Sequence, residues 1–212
     1  LAPTHIAAAF DRAEPTFRHL AYDKYKATRA ETKSDLIPQF EKVKEIFKAF
    51  GIPMFEVAGF EADDLIGTLV EQFKKVSDLN IIIASGDMDT LQLVEGDHVC
   101  VYTLRKGIED TIVYNEKKVG ERFGFSPKFI TDFKGLKGDP SDNIIGVKGI
   151  GEKTATELIT HYGTIEEIYV ALKKMKKPPV WLKERIRKLL LENEEEALFS
   201  KELASIRRDA PV

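Results

Sequence analysis

Strand signals stop at Tyr114. Before it, short apolar runs alternate with segments of helical periodicity; beyond it, every periodic segment is helical. This switch constrains the fold more than any other feature. Alternating strands and helices build an α/β sheet, and a helical run without strands builds its own lobe. The sequence therefore predicts an α/β core over 1–114 and a helical lobe over 115–212. With 212 residues, 43% of them hydrophobic, the chain can fill one core or two small ones.

In the first part, residues 5–10 read as a buried strand ending at Asp11. The chain opens on this element with almost no lead-in, so an N-terminal strand ahead of it is expected to be absent. Residues 14–34 carry Arg18, His19, Lys24, Lys26, Arg29 and Lys33 with Tyr22 and Tyr25 between them. Their apolar periodicity is poor. Two readings stay open here, a solvated loop and a surface that contacts phosphates or bases. Ser34 is placed to cap a helix over 35–50 that Gly51 ends. A strand is expected over 52–57, a helix from Glu61 to Lys74, and the clearest buried strand over 80–84. A short helical turn follows over 90–94, then strands over 98–103 and 111–113 joined through Gly107. The expected fold class is α/β, with a mostly parallel central sheet flanked by helices. In the second part, helices are expected over 116–123, 127–136, 152–161, 165–174 and 181–199. Asn115, Ser126-Pro127 and Thr164 with Glu166 and Glu167 mark their starts.

Composition excludes several function classes. No apolar run approaches the roughly 18 residues of a membrane span, and no secretory leader is visible. The single cysteine, Cys100, reads as a small buried side chain. It excludes an internal disulfide and any cysteine-based zinc site, and a reducing cytoplasm is the expected setting. Net charge is −3, but residues 134–188 hold twelve Lys or Arg against seven Asp or Glu. An acidic pocket beside a basic surface suits metal in one and a phosphate backbone on the other.

The carboxylates fall in four clusters: Asp11; Glu61, Asp63 and Asp64; Asp87 and Asp89; Asp139 and Asp142. The first and third sit at strand ends, and the second opens a helix. All three should converge on one edge of a parallel sheet, with the fourth folding over it. Carboxylates in one crevice repel unless cations hold them. Oxygen-only ligation suits Mg²⁺ or Mn²⁺, and two such ions about 4 Å apart suit phosphodiester hydrolysis. His5, His19, His98 and His161 are scattered, and none is assigned as ligand or base.

The most specific local motif is Gly146-Val147-Lys148-Gly149-Ile150-Gly151-Glu152-Lys153-Thr154-Ala155. Its glycines allow tight turns and close approach. The helix start that follows offers amides to a phosphate. Val147 and Ile150 should anchor the hairpin, with Lys148 and Lys153 facing outward. The pattern reads as a helix-hairpin-helix clamp on a nucleic-acid backbone.

Taken together, the sequence resembles the 5′-nuclease (5′-3′ exonuclease) domains of the bacterial DNA polymerase I type, within the flap-endonuclease family. The resemblance rests on Phe10-Asp11, Phe17-Arg18-His19, Tyr25 to Arg29, Gly59 to Asp64, Gly86 to Asp89, Gly138 to Asn143 and the glycine hairpin, in that order. It implies a PIN-like nuclease core and a helix-3-turn-helix lobe. By resemblance, Asp11, Glu61 and Asp63 would bind a first Mg²⁺ or Mn²⁺, with Asp64 accessory. Asp87, Asp89 and Asp142 would bind or support a second, with Asp139 close by. Tyr25, Lys26 and Arg29 would lie in an arch beside the scissile phosphate, and Arg18 on the DNA side. Gly146, Val147, Lys148, Gly149, Ile150, Gly151, Lys153 and Thr154 would hold duplex DNA, with a K⁺ ion on the hairpin carbonyls.

The implied activity is metal-dependent removal of 5′ flaps and RNA primers in replication and repair. The implied partners are flapped or branched duplex DNA and RNA primer–DNA, with a fused polymerase part not visible in this chain, in a monomer of the bacterial cytoplasm. The alternative is a DNA-structure-binding module with impaired turnover, expected if an N-terminal ligand strand is missing. A small metal-dependent ribonuclease fits less well, since single-stranded RNA would not need the duplex clamp.

Overall fold

The computed structural model describes residues 2–106 and 110–212. The chain divides into two compact units, one holding Leu1–Phe73 and Arg207–Val212, the other Lys74–Ile206. Among the described residues no helix is long and apolar enough to cross a membrane.

The first unit is built on a two-stranded parallel sheet. β1 (Ala8–Ala9) pairs with β2 (Met54–Phe55), and the ladder is extended by Phe10 N donating to Phe55 O at 2.9 Å. The expected absence of an N-terminal strand is thus corrected. Residues 5–10 do supply one, short because alanine favours strands weakly. α1 (Phe17–Ala21), α2 (Ile37–Ala49) and α3 (Ala62–Phe73) complete the unit. α1 and the turns after it fall within the basic segment 14–34, whose poor apolar periodicity predicts no core helix. α2 keeps its expected periodicity but starts after Leu36, with Pro38 in its first turn and no side-chain cap from Ser34. Its apolar residues Ile37, Phe40 and Ile46 remain exposed. α3 is the buried element: Leu65 and Val70 face the core. The chain's last residues return to it, with Ala210 N donating to Thr68 Oγ1 at 3.0 Å.

The second unit contains a three-stranded sheet in the order β3 (Ile81–Ala84), β4 (Val99–Lys106), β5 (Asp110–Tyr114). β3 and β4 are parallel; β4 and β5 are antiparallel. The sheet is therefore mixed, which corrects the expected mostly parallel one. The reason is connection length. A parallel return needs a crossover of a dozen or more residues. Only three residues separate Lys106 from Asp110, so β5 must run back along β4. The Gly107 turn expected there lies outside the described residues.

The helices follow as α4 (Glu116–Phe123), α5 (Ile130–Lys137), α6 (Glu152–Tyr162), α7 (Ile165–Lys174), α8 (Glu184–Glu192) and α9 (Glu194–Ala204). Asn115 caps α4 by accepting from Lys118 N, and Thr164 with Glu167 forms a capping box on α7. The helix expected over 181–199 is two helices. Asn193 divides them: its side-chain amide donates to Leu189 O at 2.8 Å, a local bond that competes with the helical ladder. α5 and α9 meet at Gly135, where an added Cβ would lie 2.8 Å from Ala197 O. Only glycine permits that backbone approach.

Candidate metal centre and nucleic-acid interface

In the first unit the site grows from the N-terminus of α3. The orphan amides there need acceptors. Glu61 N donates to Asp64 Oδ2 at 3.0 Å, and Ala62 N donates to Asp11 Oδ1 at 2.8 Å. Asp11, just after β1, is thereby brought to the helix start that carries Asp63 and Asp64. Asp64 is wholly buried and Arg18 is 3% exposed. The guanidinium meets it as a fork, Nη1 to Oδ2 and Nη2 to Oδ1, both at 2.8 Å. Burial pulls the Arg18 pKa down, but the bonds and charge of Asp64 outweigh it, and the net direction is upward. Arg18 also reaches Glu61 at 3.2 Å. Glu61 further accepts from Tyr25 OH at 3.0 Å and Lys26 Nζ at 2.6 Å.

Lys26 adopts φ 56°, a left-handed backbone uncommon for a residue with a side chain. Tyr25 is buried, with its ring edge against His19. So this part of the basic segment is folded onto the acids rather than spread in solvent. Arg29, by contrast, is exposed.

In the second unit, Asp87 caps the 3-10 turn Met88–Leu93 by accepting from Asp89 N at 2.9 Å. The Lys134 ammonium, on α5, is bound by Asp89 and Asp139 together. Asp139 also accepts from Ser141 N at 2.9 Å and Ser141 Oγ at 2.6 Å. Asp142 is 5% exposed. Burial pushes the Asp89 carboxyl up to about 6 against the pull of Lys134, and the charges of Asp87 and Asp139 push the same way. Burial raises Asp139 as well, but Lys134 and Ser141 outweigh it and hold it below the usual range.

Sequence reasoning missed Lys134. From sequence it reads only as one of the cations of 134–188, although a lysine on the last turn of a helix that runs directly into Gly138-Asp139 is a readable signal. The resemblance puts Arg18 on the DNA side; in the structure its guanidinium is bound to Asp64.

Among the described residues, no three His, Cys, Asp or Glu side chains are grouped to hold a metal ion. Cationic side chains stand against the acids in each unit. The donors nonetheless fit hard divalent cations in chemistry. They are carboxylate oxygens throughout, and Asp89 with Asp139 already shares one half-buried cation.

The glycine hairpin is built as its residue types suggest. Gly146 has φ 64°, and a Cβ there would collide with the backbone of Gly138. Gly146 N donates to Ser200 Oγ at 3.0 Å, and Val147 N to Leu136 O at 2.8 Å. Val147 and Ile150 are buried; Lys148, Gly149, Gly151 and Lys153 are exposed, and Thr154 is half-buried.

Comparison with known proteins extends this geometry. Residues 1–124 match the profile of the 5′-3′ exonuclease N-terminal resolvase-like domain. Residues 125–212 match that of the 5′-3′ exonuclease C-terminal SAM fold. The chain belongs to the 5′-3′ exonuclease family. Within this family it is 43% identical over 210 residues to DNA polymerase I of Bacillus caldotenax, covering 99% of the chain and 23% of that protein. It is 39% identical to DNA polymerase I of Bacillus subtilis (strain 168), with the same coverage. The chain thus spans about a quarter of the length of these relatives.

Among solved structures, the T5 D15 protein co-crystallised with metal ions aligns with a TM-score of 0.77 at 24% identity, over 96% of this chain and 76% of that one. The catalytic core of Rad2 in complex with a DNA substrate aligns with a TM-score of 0.56 at 17% identity, over 95% and 65%. At such identities these two establish a shared fold.

Proposed function

We propose that this exonuclease-family chain is a divalent-metal-dependent 5′-nuclease that cuts flapped or branched duplex DNA, and RNA primers on DNA, in bacterial replication and repair. The observation that carries the reading is the Asp89–Lys134–Asp139 cluster. Buried carboxylates around one cation are costly to a fold unless the cation is integral to it. Here they close on the 3-10 turn that also presents Asp87. Asp11, Glu61 and Asp63 would hold one Mg²⁺ or Mn²⁺ ion, with Asp64 fixing Arg18 behind them. Asp87, Asp89 and Asp142 would hold a second, with Asp139 supporting. When bound, such ions supply Lewis acidity to the phosphodiester.

The chain's own groups do the rest. Lys26 and Arg29 would stabilise charge on the scissile phosphate, with Tyr25 holding Glu61 in place. The amides of the hairpin and the start of α6 would grip the duplex backbone through Gly146 to Thr154, and its carbonyls would suit a K⁺ ion. The lobe responsible for that grip begins near residue 115. A monomer of the bacterial cytoplasm fits this role.

One observation favours a second reading, a DNA-structure binder with impaired turnover: among the described residues the acids of neither unit form a ready three-ligand site. The same experiment separates the two. A 5′-labelled flap duplex is incubated with the chain in Mg²⁺ and in EDTA. Release of the flap in Mg²⁺ alone supports the nuclease. Tight binding without cleavage selects the binder, and neither binding nor cleavage rejects both.

A further inference from the structure

Residues 173–188 hold eight Lys or Arg and a single acid, Glu184, in a chain of net charge −3. These cations do not all have the same role. Arg187 is turned inward: its guanidinium donates to Leu172 O at 3.2 and 3.1 Å and to Met175 O at 3.1 Å, closing the C-terminus of α7. It also pairs with Glu184 at 3.1 Å. Lys173 is paired with Glu194.

Arg185 and Lys188 differ. Both are exposed on α8, three residues apart and so on one face. Among the described residues neither has an ion-pair partner. That face adjoins Leu189, one helical turn from Arg185. Leu189 is also where α8 meets the glycine hairpin: a Cβ built on Gly149 would lie 3.3 Å from Leu189 Cδ2. Gly149 stands between Lys148 and Lys153, which are exposed and likewise without an ion-pair partner among the described residues. α8 therefore seats two unpaired cations beside a tip that carries two more.

We infer that Arg185 and Lys188 form a second contact row on the phosphate backbone of duplex DNA, continuous with the hairpin through the Gly149–Leu189 contact. The inference rests on the hairpin being a DNA clamp, as proposed above. The chemistry is non-specific ion pairing, in which each contact releases condensed counterions and steepens the salt dependence of binding. The row adds affinity and fixes the direction in which the duplex leaves the hairpin, without reading base sequence.

The test is fluorescence anisotropy of a labelled blunt DNA duplex in EDTA, across a salt titration. It compares the wild-type chain, the double variant Arg185→Ala/Lys188→Ala, and the control Lys174→Ala/Lys176→Ala, which removes the same charge outside α8. Circular dichroism confirms folding of each. Loss of two phosphate contacts should lower the log–log salt slope by about two, so the affinity deficit narrows about tenfold between roughly 50 and 200 mM salt. The control should keep most of the wild-type slope. Wild-type binding with an unchanged slope in the double variant would overturn this inference alone. An equal loss in the control would overturn it too, since position would then not matter. A wild-type chain that binds no duplex would reject the clamp itself, and this row with it.

Discussion

Arg18 and Asp64 form a closed fork, two parallel N–H···O bonds of 2.8 Å between groups that are almost entirely out of water. Asp64 is also the acceptor for two backbone amides, Glu61 N at 3.0 Å and Arg207 N at 2.8 Å. One carboxylate thus joins α1, the start of α3 and the chain's last segment. Removing one partner of such a pair leaves a buried charge uncompensated, and this costs about 3–5 kcal/mol. Arg18→Met should lower the stability of the unit containing α3 by that amount in urea denaturation. The double variant Arg18→Met/Asp64→Leu should recover part of the loss, since the stranded charge is gone. A loss below about 1 kcal/mol in the single variant would mean that the fork is loose in solution.

Lys134 is predicted to act as an internal counter-cation. Without it, Asp89 and Asp139 face each other with no positive charge between them. Lys134→Met should lower the melting temperature in EDTA, by the equivalent of about 3 kcal/mol. Mg²⁺ should then restore more stability to the variant than to the wild type, because a ligand stabilises in proportion to how much better it binds the folded chain. Differential scanning fluorimetry across a Mg²⁺ series reads this directly. Equal Mg²⁺ responses would show that these two acids hold no divalent ion.

Asp87 and Lys153 should separate cutting from holding. Asp87→Asn keeps an oxygen to accept from Asp89 N, so the 3-10 turn should persist. It removes a carboxylate charge proposed for metal. Flap cleavage should fall about a hundredfold or more while duplex affinity stays within about twofold. Lys153→Ala should do the reverse under saturating enzyme, weakening binding and leaving the single-turnover rate nearly intact. Retained cleavage in the Asp87 variant would sink the two-metal assignment.

Much of this arrangement was legible in the sequence because it is local. The helices over 116–123 and 165–174 begin where their caps say, since Asn115 and Thr164 satisfy orphan amides within three residues. The burial of Val147 and Ile150 follows from single apolar residues held between glycines. What was not legible is pairing across distance. Nothing near Lys134 names Asp89, forty-five residues earlier, as its partner. Nothing near Arg18 names Asp64. Sheet direction was legible in part. The three residues between Lys106 and Asp110 exclude a parallel return, and the mixed sheet could have been read from that count. The two-residue β1 was harder, because in an alanine run the main-chain bonds to β2 decide strand formation and side-chain preference decides little.

The last prediction concerns pH. Asp132, on α5, is 2% exposed; its Oδ1 accepts from Ile165 N at 2.8 Å and from Lys201 Nζ at 2.7 Å. Lys201, on α9, also reaches both oxygens of Glu166 at 2.9 Å. Burial pulls the Lys201 pKa down, but Asp132 and Glu166 outweigh it and hold it above its ordinary 10.5. Burial pushes Glu166 up, but Lys201 outweighs it and holds it below its ordinary 4.5. The signs then fix the window. A raised lysine contributes stability that is complete below its unfolded pKa and fades as pH rises through the folded one. A depressed carboxylate contributes stability that is complete above its unfolded pKa and fades as pH falls. The cluster should therefore stabilise fully between about 4.5 and 10.5. The Glu166 side chain is more than half exposed, so its share is screened and small. Most of the effect is the Asp132 bond, worth about 2–3 kcal/mol. Lys201→Met should lower the mid-pH plateau of a urea-midpoint profile by about that amount and flatten its alkaline limb. A variant whose profile parallels the wild type across the alkaline range would show that Lys201 contributes packing and no charge.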